Sequence, residues 1–313
     1  MTGGCGFIGS ALVKQLVRQN IEVYVVDDLS SGNILNLENI DCKIFTENFD
    51  NQKIIQLIKE KKFDTVFHLA AIPSVKYSVE HPALTTEINI ASTLRLFEAS
   101  IGNVNRIVFS SSAAVYGDKY EHEIASTYDK HPITPYAWQK SAIEDISKIF
   151  CNLYDIDIVS LRYFNVYGPG QDGSSQYSSV ISTWLHCIEN NIPLTLDGDG
   201  TQSRDYVYID DVVRANIVVA NHSEQFKGIS YNISTGVPTT NKRVLEYFYD
   251  YFGKINVKKA PQRKGDIKLS LGNSSRIKSH LSFSTETCFN EGIEETLNSL
   301  DSKKEIKWTE IHT

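Results

Sequence analysis

An α/β fold built on a doubly wound parallel sheet is predicted by three features of this 313-residue chain. Short apolar segments alternate with longer amphipathic ones through the amino-terminal half. Glycines stand at positions 3, 6 and 9, just before a helical pattern. Polar residues gather at the carboxyl ends of the apolar segments, where an open parallel sheet binds its ligands.

The glycine segment is Thr2-Gly3-Gly4-Cys5-Gly6-Phe7-Ile8-Gly9-Ser10, and Ile8, Leu12 and Leu16 then mark one helix face. Glycines let a backbone turn tightly and approach a pyrophosphate, which sits on the helix amino terminus. Glu22-Val23-Tyr24-Val25-Val26-Asp27 is a short strand ending in a carboxylate, 18 residues after Gly9. An acid there meets a ribose 2′-hydroxyl. Asp28 follows and no arginine is adjacent, so a second phosphate would be repelled and NAD is favoured over NADP. The order of glycines, helix, strand and acid is that of a Rossmann dinucleotide site.

Such a turn normally follows a strand of about five or six residues. Only Met1 and Thr2 precede Gly3. The first strand is central in a doubly wound sheet. Its truncation predicts two unpaired neighbours and a slot in the core, and a start upstream of Met1 is expected.

The alternation continues. Cys42-Lys43-Ile44-Phe45 is a strand and 53–60 a helix. Thr65-Val66-Phe67-His68-Leu69-Ala70-Ala71 is a strand running into small residues, which let a cofactor lie close. His68 is read as a core or cofactor-edge histidine. Residues 82–100 form a helix carrying Asn89. Arg106-Ile107-Val108-Phe109 is a strand ending in Ser110-Ser111-Ser112.

The chemistry centres on the helix entered through Thr134-Pro135-Tyr136-Ala137-Trp138-Gln139-Lys140 and running to about Leu153. Tyr136 and Lys140, four apart, point the same way. A free tyrosine titrates near ~10 and is a poor base at neutral pH. A nearby lysine cation is expected to lower that value and let the phenolate accept a proton from a sugar or alcohol hydroxyl.

After Asp157-Ile158-Val159-Ser160-Leu161, a loop rich in turn formers runs from Tyr167 through Ser175. A helix at 180–189, a short strand Leu194-Thr195-Leu196, the segment Tyr206-Val207-Tyr208-Ile209-Asp210-Asp211 and a helix at 212–221 follow. Residues 1–165 and about 205–232 are assigned to a cofactor domain, and about 166–204 and 233–313 to a smaller α/β substrate domain. The cleft between them is the expected active site.

Composition narrows the partners. The net charge is −7 with no basic block, which argues against nucleic acid. The five cysteines are scattered with no CxxC pair, which suggests reduced cytosolic thiols and no zinc framework. No long apolar run or charged-then-apolar leader is present, so a cytoplasmic protein without membrane association or metal is expected.

With these segments in place, the chain resembles the extended short-chain dehydrogenase/reductases, and within them the nucleotide-sugar 4-epimerases. The matching pieces are the glycine segment, His68-Leu69-Ala70-Ala71, Ser110-Ser111-Ser112-Ala113-Ala114-Val115-Tyr116-Gly117 and Tyr136-Ala137-Trp138-Gln139-Lys140. Arg162-Tyr163-Phe164-Asn165-Val166-Tyr167-Gly168-Pro169 and Gly198-Asp199-Gly200-Thr201-Gln202-Ser203-Arg204-Asp205 match further on.

The resemblance implies roles. Tyr136 is the base, Lys140 its partner and a nicotinamide-ribose ligand, and Ser112 the hydroxyl that bonds the reacting group. The NAD set it implies is Gly3, Gly6, Phe7, Ile8, Asp27, Asn48, Phe49, Leu69, Ala70, Ala71, Asn89, Ser110, Tyr136, Lys140 and Tyr163. The UDP-sugar set is Ser112, Asn165, Val180, Arg204, Arg263, Asp266 and Ser270. Asn165 holds the nucleotide diphosphate, and Arg204 and Arg263 lie at the UDP end, where a guanidinium binds phosphate in paired hydrogen bonds. Ser270, where related enzymes restricted to unacetylated sugars tend to carry tyrosine, leaves room for an N-acetyl group.

Two departures carry information. Relatives that dehydrate or decarboxylate the sugar usually have an acid in the stretch matching Ala113-Ala114, and a methyl group exchanges no proton. The family's Gly-Asp pair near the adenine is Glu47-Asn48 here. The expected activity is 4-epimerisation of UDP-N-acetylglucosamine and UDP-N-acetylgalactosamine, extending to UDP-glucose and UDP-galactose. The rival readings are a UDP-glucuronate 4-epimerase, a nucleotide-4-keto-sugar reductase, and a catalytically silent protein of the same fold. A homodimer pairing helices 82–100 and 135–153 is expected by analogy.

Overall fold

The computed structural model describes residues 1–61, 63–174, 178–262 and 267–301. A parallel sheet runs in the order Lys43–Phe45, Tyr24–Val26, Thr2, Thr65–His68, Arg106–Ser112, Asp157–Tyr163, Ser230–Ile233. Its central strands Arg106–Ser112 and Asp157–Tyr163 are almost wholly buried, as both faces are covered by helices. Helices Phe7–Arg18 and Ile209–Asn221 pack together in one core. The core with Gln52–Lys61, Thr93–Ser100 and Pro135–Tyr154 includes Ile54, Phe97 and Ile143. This is the doubly wound α/β fold expected.

The place of the first strand is not an empty slot. Thr2 bridges Val26 on one side and His68 on the other. Its amide donates to the Phe67 carbonyl at 3.0 Å, and Val26 donates to the Met1 carbonyl at 2.8 Å. The Met1 ammonium donates to the Tyr24 carbonyl at 2.6 Å, and burial pushes its pKa down to about 5. Two residues thus pair the upper part of both neighbours.

Several expected elements change extent. The strand at 22–27 is Tyr24–Val26, the strand at 65–71 is Thr65–His68, and the helix at 212–221 begins earlier, as Ile209–Asn221. The helix expected over 82–100 is three pieces: Pro82–Thr86, a π-helical stretch Glu87–Ser92 and Thr93–Ser100. The wide turn coincides with Asn89, whose side chain is drawn into bonds with other segments.

The carboxyl-terminal half adds smaller sheets. Ser203–Tyr208 pairs in parallel with Asn165–Tyr167 and Leu269–Ser270, and antiparallel with Pro238–Thr240. Leu194–Asp197 pairs with Val257–Ala260. Asp205 ties this region together: its carboxylate accepts from Thr235 N and Oγ1, Gly236 N and Gly272 N at 2.7–3.1 Å. Among the described residues, no helix is long and apolar enough to cross a membrane.

Candidate active site

The catalytic helix, Pro135–Tyr154, is started by Thr134, whose Oγ1 accepts from Ala137 N, with Pro135 in the first turn. It stops at Asp155 in a left-handed conformation. Its buried face is unusual. Tyr136, Gln139, Lys140, Ser141, Glu144 and Ser147 are all buried, a polar stripe where a helix usually presents an apolar one. Each buried polar group then needs a partner.

Tyr136 has the Ser112 side chain beside its phenol, and its amide donates to Ser78 Oγ at 3.1 Å. Ser112 ends the strand Arg106–Ser112, and its Oγ accepts from Ala114 N at 3.2 Å. The ammonium of Lys140 donates to the Ser110 carbonyl at 2.6 Å and lies 5.9 Å from the Tyr136 ring centroid. The titration differs from the expectation. Burial raises Tyr136 to about 12, the Ser112 hydrogen bond opposing it. Burial lowers Lys140 to about 7, with Glu144 pulling the other way. Desolvation dominates both shifts, so the resting site holds a neutral phenol.

The other expected cofactor residues converge on the same carboxyl edge of the sheet. Gly3 and Gly6 follow Thr2, and Phe7 and Ile8 open the first helix, half-buried. Leu69, Ala70 and Ala71 follow the strand Thr65–His68. Ser110 and Ser112 pair in register with Leu161 and Tyr163. The Tyr163 hydroxyl donates to Asn216 Oδ1 at 3.0 Å and also bonds Ser110.

The glycines separate into two kinds. A Cβ on Gly3 would stand 2.7 Å from Ala70 N, and one on Gly9 2.1 Å from the Gly3 carbonyl oxygen. Protein packing explains both. A Cβ on Gly6 would meet only the Gly3 oxygen, at 3.4 Å. The bare backbone at Gly6, capping a helix amino terminus, therefore has room that a pyrophosphate fits.

Asp27 is buried. Its carboxylate accepts from Cys5 N at 2.8 Å and Leu29 N at 2.9 Å, bracing the glycine loop. A carboxylate keeps further lone pairs for a ribose. Asn48 is exposed beyond Lys43–Phe45. Phe49 is buried with its ring 4.9 Å from that of His68.

His68 belongs to a buried polar chain. Its Nδ1 meets Thr2 Oγ1 at 2.7 Å and its Nε2 meets Thr93 Oγ1 at 2.9 Å. Thr93 spends its proton on the Asn89 carbonyl, so the imidazole donates through Nε2 and accepts at Nδ1. Burial first, then Lys140 and the amino terminus, lowers His68 to about 3. Asn89 bonds both polar groups of the Ile72 backbone and donates to Gln139 Oε1 at 2.8 Å. Gln139 continues to Thr85 and Thr86. Asn89 thus joins the glycine-loop side to the catalytic helix.

The expected substrate residues lie on other elements. Asn165 donates to the Asp205 carbonyl at 3.3 Å, and Val180 opens the helix Val180–Glu189. Arg204 donates to the carbonyls of Ser203 and Ile267, and pairs in register with Ser270. Arg263 and Asp266 lie outside the described residues.

A buried ion pair that no local motif announces lies beneath the site. Glu144 accepts from Arg162 Nε at 2.9 Å and Nη2 at 2.7 Å, and from Ser111 Oγ at 2.6 Å. Arg162 also donates to the Tyr116 hydroxyl at 2.6 Å. The signal was present: residues 136, 140 and 144 share one helical face.

Residues 1–234 match the NAD dependent epimerase/dehydratase family. A UDP-glucose 4-epimerase of Mycolicibacterium smegmatis is 32% identical over 312 residues, covering 97% of this chain and 99% of that protein. A UDP-N-acetylglucosamine 4-epimerase from Methanobrevibacter ruminantium, solved in complex with UDP-N-acetylmuramic acid, is 37% identical. It has a TM-score of 0.90 and 97% of each chain is covered. A UDP-glucose 4-epimerase of Thermus thermophilus in complex with NAD is 33% identical with a TM-score of 0.88, covering 97% of this chain and 98% of that one. The chain belongs to the NAD dependent epimerase/dehydratase family, and NAD is its cofactor.

Proposed function

We propose that the protein is a UDP-hexose 4-epimerase that interconverts UDP-N-acetylglucosamine and UDP-N-acetylgalactosamine, and also UDP-glucose and UDP-galactose. The observation that carries the chemistry is the buried Tyr136 side chain, with Ser112 and Lys140 beside it, at the carboxyl end of a central strand. Tyr136, as the phenolate, takes the proton of the sugar 4-hydroxyl, and Ser112 holds that oxygen in line. The resulting 4-keto sugar presents its opposite face, and Tyr136 returns the proton. When bound, NAD supplies the acceptor and donor of the C4 hydride and, through its oxidised ring, a positive charge that favours the phenolate.

Gly3, Gly6, the start of Phe7–Arg18 and Asp27 would hold the dinucleotide, and Lys140 its nicotinamide ribose. Asn165, Val180, Arg204, Arg263, Asp266 and Ser270 would hold the sugar nucleotide. The small side chain of Ser270, beside Arg204 in the sheet, supports acceptance of an N-acetyl group. The acetylated sugar of the Methanobrevibacter enzyme supports the same reading. We assign the substrate domain to about 166–204 and 233–313.

A homodimer is supported by exposed Trp138, Ile149 and Leu153 on the catalytic helix, with exposed Val79 and Leu84 on the helices Val75–Glu80 and Pro82–Thr86 that pack against it. Five free thiols support a cytoplasmic location.

The test is to incubate the purified protein separately with UDP-N-acetylglucosamine, UDP-glucose and UDP-glucuronate and resolve the products by NMR. The 4-epimer of the first, formed without net NADH use, is expected. Stoichiometric NADH consumption would mark a reductase, and turnover of UDP-glucuronate alone would overturn the substrate assignment.

A further inference from the structure

We propose that His222, Glu224 and His280 form a zinc site at the edge of the sheet remote from the reacting groups. One ligand atom from each side chain lies within 4.8 Å of the other two. Residues 222 and 280 are far apart in sequence, so no ligand spacing betrays the cluster; the fold assembles it. Two imidazoles and a carboxylate suit Zn²⁺, and three protein ligands leave a position for water.

A second observation points to a ligand. His222 Nε2 is a buried atom without a hydrogen-bond partner among the described residues. Such a nitrogen costs stability unless something binds it. His280 has the complementary arrangement. Its Nδ1 meets the Tyr231 hydroxyl. With Nδ1 as donor, the tautomer leaves the Nε2 lone pair for a metal, the usual support for a ligating histidine.

The frame is held before any ion arrives. Arg106 pairs with Asp157 at 2.6 Å and donates to the carbonyls of His222 at 2.6 Å and Glu224 at 2.7 Å. The backbone of two ligands is thereby pinned to the amino end of the sheet. Zinc bonds of ~2.0–2.1 Å bring tetrahedral ligand atoms to about 3.4 Å apart. The exposed Glu224 side chain has room to move toward that spacing.

Occupation would clamp the helix Ser275–Leu281 to the loop beside the edge strand Ser230–Ile233. Arg106 begins the seven-residue strand that Ser112 ends, which places the site about 20 Å from the reacting groups. An ion there is therefore too far away to act on the group that Tyr136 serves.

The test uses the full chain, stripped with a chelator, and ZnCl₂ as the probe. Calorimetry should find one saturable site, and zinc should raise the Tm without changing kcat. Glu224→Gln, at an exposed position, and His280→Ala should each weaken binding at least tenfold and abolish the Tm rise. Tyr231→Phe should weaken it by about 10–100-fold. Co²⁺ in place of zinc should give visible d–d bands without a thiolate charge-transfer band. No saturable binding, equal affinity in Glu224→Gln and wild type, or a thiolate band placing the metal on cysteines would each overturn the proposal.

Discussion

Lys140 gives its ammonium to the carbonyl of Ser110, not to the phenol of Tyr136, which has Ser112 as its neighbour. The lysine is therefore bound two strand residues before the serine that neighbours its base. Its pKa near 7 means that the charge is available only below neutrality in the resting protein. Lys140→Met should lower kcat on the order of 100-fold or more. Stability identifies the cause. The folded value lies below that of an unfolded lysine, so wild-type stability rises with pH between about 7 and about 10.5, by up to about 1.4 kcal/mol per unit. Urea melts should show that slope in wild type and lose it in Lys140→Met.

Gly6 and Gly9 should respond oppositely to alanine. At Gly9 the new methyl would overlap the Gly3 carbonyl, and the variant should lose several degrees of Tm or fail to fold. At Gly6 the protein has room, so Gly6→Ala should keep its Tm when free of cofactor but retain far less NAD through gel filtration. Equal NAD content in Gly6→Ala and wild type would remove the pyrophosphate from that turn.

His68 makes the fold acid-sensitive. Its folded pKa near 3 lies below the ordinary value near ~6.5, so the unfolded chain binds the extra proton in that window. The contribution is fully present above ~6.5 and is lost as pH falls toward 3. Between pH 6.5 and pH 5 the loss is about 2 kcal/mol. Comparing urea midpoints of wild type and His68→Gln across that range isolates this part from the carboxylates. Identical pH slopes in the two proteins would contradict it.

Ser270 faces a specificity test. Ser270→Tyr should reduce kcat/KM for UDP-N-acetylglucosamine at least tenfold while leaving UDP-glucose within about threefold, because added volume excludes only the larger C2 substituent. Equal losses on both sugars would show that the position does not read the acetyl group.

The parallel sheet was legible because buried strands such as 107–109 and 158–161 are largely apolar runs, and the helices between them keep a 3.6-residue period. The site was legible where one motif supplies both partners, as with Tyr136 and Lys140. What escaped depends on groups distant in sequence. The π turn around Asn89 follows from its bonds to Ile72 and Gln139, and no local pattern encodes them. The Glu144–Arg162 pair spans a helix and a strand. The Tyr136 shift runs opposite to the expected direction because periodicity places the lysine nearby but does not reveal how completely both groups leave water.

The central claim, that the Tyr136 hydroxyl carries the proton of the sugar 4-hydroxyl, is tested most directly by one rate. Tyr136→Phe, purified with its NAD content measured, is given UDP-N-acetylglucosamine and followed by proton NMR. A fall in kcat on the order of 100-fold to 10,000-fold, with NAD retained and Tm kept, is the expected result. A variant that still turns over at the wild-type rate would contradict it.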